Sequence, residues 1–288
     1  MKSAWSGGAI ISLLLLFMVA LTYAASQGMP RIAGMAIPLW ILVGVVASQW
    51  LGFIHAYLFQ TERYYDVIGA VANISVVLSM LVLVVQLGVG DYLLAGCIIV
   101  WALRLGSFLF LRIMQDGGDT RFDNIKPSFS RFLVAWTLQA SWIFLIQLAA
   151  ILALSDERAL PLGWLVIIGF VIWSVGMVIE SVADWQKRQF RAKPSHRGKF
   201  ISSGLWARSR HPNYFGEILA WVGVSLMALP ALNGWMYLGL ISPCFLVLLL
   251  TKVSGVPLLE ASADQRWGGD AEYARYKRTT PVLIPRLF

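Results

Sequence analysis

The chain has 288 residues, 58% of them hydrophobic and 13% charged, with a formal net charge of +8 and a mean hydropathy of +0.71. No soluble core hides that much apolar side chain, so a water-soluble globular protein is excluded and lipid must be the main solvent. The excess of cations would suit nucleic acid, but the cations gather in a few connections between apolar runs, which points to a membrane surface and to no nucleic-acid partner.

In chain order, apolar runs occupy about 8–25, 34–58, 66–88, 91–112, 132–153, 162–183, 214–231 and 235–251. Most reach the roughly 20 residues that span a hydrocarbon core, which predicts an all-α, polytopic integral-membrane bundle of seven to eight transmembrane helices. The first run follows Lys2 and ends at the small residues Ala24-Ala-Ser26, as a secretion signal would. It is as long as a full span and more spans follow, so a retained helix is expected. The last two runs are short and separated only by Pro230-Ala-Leu-Asn-Gly234. They read as a tight helical hairpin or as one interrupted element. One transmembrane domain over 1–288 is expected, with N-terminal helices in 1–54 and a core in 55–288. Cys97 and Cys244 lie in apolar runs without metal-ligand spacing and read as two buried small hydrophobes, so neither a metal nor a disulfide is expected.

The cations are distributed unevenly. Lys187, Arg188, Arg191, Lys193, Arg197, Lys199, Arg208 and Arg210 stand between Trp185 and Pro212 with no acid among them. The 112–131 connection adds Arg112, Arg121, Lys126 and Arg131, and the tail adds Lys252, Arg266, Arg275, Lys277, Arg278 and Arg286. With eight spans these regions share one face, cytoplasmic by the positive-inside rule, so 112–131 and 185–213 are expected as cytoplasmic loops. The 185–213 segment exceeds what topology requires and is interleaved with Phe200, Trp206 and Tyr214. A ligand with phosphates and flat rings would want such a lining, and anionic lipid headgroups are the plainer alternative. No Gly-x-Gly-x-x-Gly and no P-loop is present, so any nucleotide site must be built between helices.

The run Arg208-Ser-Arg210-His211-Pro-Asn213-Tyr214-Phe-Gly-Glu217 places forked cations, a histidine, an amide and a carboxylate at the start of an apolar run. Arginine forks suit phosphate, and Pro212 suits a helix entry. Glu180 and Asp184 stand four apart and share a helix face, with Arg188 and Arg191 following at compatible spacing; they read as cavity-facing carboxylates or as an ion-pair ladder. Gln60-Thr-Glu62-Arg-Tyr64-Tyr65-Asp66 gathers an amide, carboxylates and phenols beside lipid. Arg104, inside the fourth run, needs an anion, and Glu62 or Asp66 are the candidates. His55 reads as a packing residue.

Several of these segments together resemble the steroid 5-alpha-reductase family, and more closely its bacterial branch known as a domain of unknown function. They are Gly176-Met-Val-Ile-Glu180-Ser-Val-Ala-Asp184-Trp-Gln-Lys-Arg-Gln-Phe190-Arg191, Ser203-Gly-Leu-Trp206, and Arg210-His-Pro-Asn213-Tyr-Phe-Gly-Glu217. Trp101-Ala-Leu-Arg104, Asp119-Thr-Arg121-Phe, Gly255-Val-Pro-Leu-Leu-Glu260 and Glu272-Tyr-Ala-Arg-Tyr-Lys-Arg-Thr-Thr-Pro281 fit the same branch, so the resemblance covers about 55–288.

The resemblance implies an all-helical membrane enzyme that reduces the carbon–carbon double bond of an enone with NADPH. The substrate implied is lipophilic and steroid-like, and the cavity opens to the cytoplasm, in a bacterial inner membrane. Membrane lipid is the expected neighbour, and a monomer or weak homo-oligomer the expected state. The implied cofactor-binding residues are Arg104, Arg121, Glu180, Asp184, Arg188, Arg191, Trp206, Arg210, His211, Asn213, Tyr214, Glu217 and Glu260. Those implied for polarising the substrate carbonyl are Gln60, Glu62, Tyr64 and Tyr65, with Glu62 protonated or orienting a phenol. Glu180 stands where the animal enzymes have asparagine, and Thr61 separates a Gln-Glu pair that is adjacent there. A second resemblance, through Arg-His-Pro-x-Tyr and a terminal Tyr-x-x-Tyr, is to the isoprenylcysteine type of membrane methyltransferase, which uses S-adenosylmethionine. The charged Glu180–Arg191 block favours the reductase, because S-adenosylmethionine has no phosphate to hold.

Overall fold

The computed structural model describes residues 6–286, so Lys2 lies outside the described residues. Among these residues, eight helices are long and apolar enough to cross a membrane: Gly7–Ala25, Ile37–Leu58, Tyr65–Leu83, Val89–Gln115, Phe129–Leu154, Trp164–Ala192, Pro212–Ala231 and Gly234–Trp267. By this measure of length and composition there are eight such segments. The last is composite. A 3-10 turn (Gly234–Leu240), a short helix (Ile241–Leu248) and a π turn (Leu249–Val253) lead past Gly255 into a further helix (Val256–Trp267). The chain divides into two compact units, one of Met1–Ile167 with Val224–Ser242 and the other of Ile168–Gly223 with Pro243–Phe288.

In the first unit, α1 (Gly7–Ala25), α2 (Ile37–Leu58), α3 (Tyr65–Leu83) and α4 (Val89–Asp116) pack with α5 (Phe129–Leu154). A helix that is apolar on every side is a core helix, and α5 is buried along nearly its whole length from Phe132 to Leu154. Its few polar groups bond to neighbouring helices, since lipid offers them nothing. Gln147 Nε2 donates to Asn73 Oδ1 at 2.8 Å, and Gln139 Nε2 to the Tyr65 carbonyl at 3.0 Å. Leu16, Leu51, Ile54 and Val82 instead point outward. Such faces are costly in water and satisfied in hydrocarbon.

A hairpin of β1 (Arg31–Ile32) and β2 (Met35–Ala36) precedes α2, the one strand pairing in an otherwise helical chain among the described residues. Its two-residue turn has positive φ at both Ala33 (49°) and Gly34 (81°), the pattern of a type I′ turn. At the N-terminus of α4, Asp91 accepts the Gly88 and Leu160 N–H groups at 2.8 Å each, which caps the helix and ties the 84–88 and 155–163 connections together.

The second unit contains most of α6 (Trp164–Ala192) and of α7 (Pro212–Ala228), with α8 (Ile241–Leu248), α9 (Val256–Trp267) and α10 (Ala271–Thr279). Helices α6 and α7 cross with their backbones in contact. A Cβ on Gly216 would lie 2.5 Å from Glu180 N, and one on Gly176 would lie 2.5 Å from Ala220 N. Small residues at such spacing let two helices approach without a hydrophobic driving force.

Two expectations need correction. The cationic 185–213 segment is not wholly a loop, because α6 continues through Ala192. Gln, Lys, Arg and Ala are good helix formers, and the helix stops where Pro194 forces Lys193 into extended backbone (φ −83°, ψ 122°). Cys244 is exposed on α8 rather than buried, whereas Cys97 is buried. An apolar helix shows one face to lipid, and period alone does not say which residues occupy it.

Candidate functional site

Because α6 runs on past its apolar part, Lys187 and Arg191 stand one turn apart on one helix face. A cleft opens beside them, lined by Phe190, Lys199, Phe200, Ile201, Trp206, Arg210, His211, by Leu259, Glu260, Ser262, Ala263, Arg266 and Trp267 of α9, and by Tyr273 and Tyr276 of α10. It holds about 820 Å³ of empty space counting its open mouth. Five arginines and lysines face one carboxylate.

Each wall has a local cause. Gln186 Oε1 accepts the Leu205 N–H at 2.9 Å, and Trp206 Nε1 donates to the Ala183 carbonyl at 3.0 Å, which fastens the 3-10 turn Gly204–Ala207 to α6. Gly204 takes φ +63° there, and a Cβ would strike the Gln186 amide. Lys187 Nζ then lies 4.7 Å over the Trp206 ring, a cation–π pair. Asp270 caps α10 by accepting the Glu272 N–H at 2.7 Å, and Asp264 of α9 receives Tyr273 Oη at 3.2 Å and Lys277 Nζ at 2.6 Å. These contacts fold α10 back onto α9. Phe200 packs against Trp267, Tyr273 and Tyr276 with ring centroids 5.2–6.0 Å apart. Burial pushes the Tyr273 phenol up to about 12, so it stays a neutral donor at physiological pH.

Glu260 organises the floor. It accepts from Arg210 Nη1 at 2.7 Å and His211 Nε2 at 3.0 Å, and Lys277 Nζ lies 3.3 Å away. Two buried atoms of this group, Arg210 Nε and His211 Nδ1, have no hydrogen-bond partner within the protein. Buried polar atoms left this way mark a place where a ligand or water completes the bonding.

The fold brings together in this cleft five of the residues assigned to a cofactor: Arg191, Trp206, Arg210, His211 and Glu260. Glu180 and Asp184 are buried on α6, and Arg188 is exposed; none of the three lines the cleft. Asn213, Tyr214 and Glu217 form the first turns of α7 outside the lining, with Tyr214 stacked on His211 at 5.6 Å. Lys199, Arg266, Trp267, Tyr273 and Tyr276 are lining residues that the sequence assignment omitted. Their signal was present in the i, i+3 spacing of Tyr273 with Tyr276 and of Ala263 with Arg266, but nothing in a sequence shows which helix faces which.

The other assigned residues belong to the first unit. Arg104 lies over the Phe108 ring at 5.6 Å, and Asp66 is 3.7 Å from Arg112. Arg121 is exposed and its Nε donates to Asp119 at 2.9 Å. Gln60 is exposed at φ +49° and donates to the Tyr57 carbonyl at 2.7 Å. Tyr64 is exposed beside His55, with ring centroids 5.8 Å apart. The Tyr65 hydroxyl donates to the Ala135 carbonyl at 2.9 Å, in a cluster with Phe122 and Trp136.

Of the two roles expected for Glu62, a protonated acid or a carboxylate orienting a phenol, its surroundings argue against the first. Its partners are Lys126 Nζ at 2.6 Å and the Asp119 N–H at 2.9 Å. Burial works against its charge, but those hydrogen bonds hold the carboxyl below the usual carboxylate range. It is an ionised clasp on the 117–128 connection. Glu62→Gln is therefore expected to cost about 1.5–3 kcal/mol of stability in thermal unfolding near neutral pH. A depressed carboxylate stabilises above its ordinary value of 4.5 and loses that contribution as pH falls through the lower folded value. The gap between parent and variant should close in acid; a constant gap would place the loss elsewhere.

Fold and site together define an integral-membrane helical protein with a cleft lined by cations and aromatic rings. Residues 52–280 match the model of a family described as a protein of unknown function, DUF1295. The chain belongs to this family, within the wider steroid 5-alpha-reductase family that its motifs resemble. It is 33% identical over 121 residues to 3-oxo-5-alpha-steroid 4-dehydrogenase 1 of Mus musculus, covering 41% of each chain. Against the protein of that name from Macaca fascicularis it is 31% identical over 161 residues, 55% of this chain and 49% of the relative. A shorter segment of 46 residues is 41% identical to the probable O-methyltransferase ustE of Ustilaginoidea virens, 16% of each chain. The chain thus spans less than half the length of each of these relatives. No solved structure matches it.

Proposed function

We propose that this chain is a membrane reductase that uses NADPH to saturate the carbon–carbon double bond of a lipophilic enone, with a 3-oxo-Δ4 steroid as the substrate class its relatives' names suggest. The observation that carries the reading is the charge of the cleft. Five cations against Glu260, with aromatic rings between them and the unpartnered Arg210 Nε and His211 Nδ1 on the floor, suit a ligand with several phosphates and flat rings. S-adenosylmethionine brings a sulfonium cation and no phosphate, so the same cleft repels it.

On this reading Lys187 and Arg191 take phosphate oxygens from the α6 side, and Lys199 and Arg266 from the other walls. Phe200, Trp206 and Trp267 offer ring faces, and Glu260 keeps the Arg210 fork and the His211 ring oriented. When bound, NADPH supplies the hydride that reduces the β-carbon of the enone. Tyr64 is the phenol proposed to donate to the enone oxygen as charge develops there, since the Tyr65 hydroxyl is committed to Ala135. The cationic segments support a cytoplasmic face for the cleft by the positive-inside rule, and a bacterial inner membrane is the proposed location.

The test is to incubate the detergent-solubilised protein with NADPH and a panel of enones, following NADPH consumption and reduced product, with S-adenosylmethionine as competitor. Saturable S-adenosylmethionine binding without NADPH oxidation on any enone would hand the chain to the methyltransferase reading. Within the reductase reading, Tyr64→Phe is expected to lower kcat by about 10²-fold while NADPH affinity holds. Full activity in that variant would move the donor elsewhere.

A further inference from the structure

The Arg208–His211 segment carries two of the cleft's floor residues, yet it belongs to no helix. It lies between the 3-10 turn Gly204–Ala207 and α7, and it has to hold its cations among others of like charge. Like charges drive such a segment apart, and an unanchored backbone gains entropy by leaving. Glu260 orients its side chains and the Leu205 carbonyl accepts its first N–H groups, and the rest of its backbone is held by the chain beyond α10. The Arg210 N–H donates to the Pro281 carbonyl at 2.9 Å, and the Arg286 N–H donates to the Arg208 carbonyl at 3.0 Å. Between them Ser209, with no exposed surface, donates its hydroxyl to the Leu283 carbonyl at 2.8 Å. The same oxygen accepts the His211 N–H at 3.2 Å. One buried hydroxyl therefore connects the C-terminal tail to the backbone of a floor residue.

We propose that Ser209 is a positioning residue, through which the tail over 281–286 latches Arg210 and His211 in the cleft. A buried hydroxyl that both donates and accepts is hard to replace, because its removal leaves a carbonyl and an amide unsatisfied together. The latch itself stands on the hydrogen bonds; its effect on a cofactor rests on the proposed NADPH reading.

The experiment uses the full chain in detergent with two variants. Ser209→Ala removes the hydroxyl. Arg286→Pro removes an N–H outside the cleft and covers the case in which Ser209→Ala does not fold. Amide hydrogen exchange without any ligand is expected to quicken about tenfold at residues 209–211, with α6 unaffected. With NADPH, its KM should rise about tenfold while kcat at saturation stays within about twofold, the split expected when binding geometry and not chemistry is disturbed. Unchanged exchange at 209–211 in the variants that fold overturns the latch, and faster exchange with NADPH affinity unaltered in the variants, when the parent binds NADPH, overturns the positioning role of Ser209. A parent that binds no NADPH removes the cofactor reading, and the exchange measurement then decides the latch by itself.

Discussion

Arg191→Ala should weaken NADPH binding by about 10- to 100-fold, the worth of one charge-assisted hydrogen bond to a phosphate. The side chain is exposed on the last turn of α6 and lines the cleft, so its removal leaves helix packing untouched and the thermal midpoint near that of the parent. Arg266 lies on α9, a different wall, so the double variant Arg191→Ala/Arg266→Ala should lose roughly the product of the two factors. Raising the salt concentration should weaken NADPH binding in the parent and have less effect in the double variant, since fewer charges remain to screen. Titration by tryptophan fluorescence or calorimetry decides it. Parental affinity in both single variants and in the double would remove the cleft from the cofactor site.

Gly216→Val should abolish the folded protein. A Cβ at this position meets Glu180 N at 2.5 Å, the Gly176 carbonyl oxygen at 2.7 Å and Glu180 Cα at 2.9 Å. All three are backbone atoms of α6, which cannot rotate aside as a side-chain tip can. The smaller change Gly216→Ala should already cost about 3 kcal/mol, the upper part of the overpacking range, because two helix backbones must separate. The same crossing sets where α6 leaves α7, so partial unfolding there also dismantles the cleft. Gly96→Ala is the contrast. Nothing lies within 4 Å of a Cβ at that position, and an alanine in a helix interior is neutral or mildly stabilising. Detergent-exchange chromatography with thermal unfolding reads both, and a Gly216→Ala protein as stable as Gly96→Ala would mean that the crossing is looser than described.

The spans were legible because hydropathy is a local sum. Every apolar run in the sequence corresponds to one of the eight membrane-length helices, and errors fell at their ends. The α6 extension through Ala192 was half visible in its helix-forming residues, while its stop was written in Pro194. The hairpin at 31–36 was not legible. Its turn is Ala33-Gly34, and an alanine at φ 49° carries none of the Asn-Gly or Asp-Gly signal that marks such turns.

The candidate site divides in the same way. That cations gather before Pro212, and that this gathering is more than topology needs, follows from counting charges along the chain. Whether Arg188 or Arg191 faces the cleft does not, because two residues of equal charge three positions apart differ only in the direction their side chains leave the helix. Glu62 shows the limit most clearly. Its sequence neighbours are phenols and lipid-facing residues, which suggested a protonated acid or one orienting a phenol, whereas its partner Lys126 stands 64 residues away. The sequence by itself determined the membrane class, the spans and the cationic character of the site, since each is a sum over neighbouring residues. Only the tertiary structure decided which cations converge on Glu260, which carboxylate is paired and what the tail holds, since those depend on contacts between segments whose separation along the chain says nothing of their separation in space.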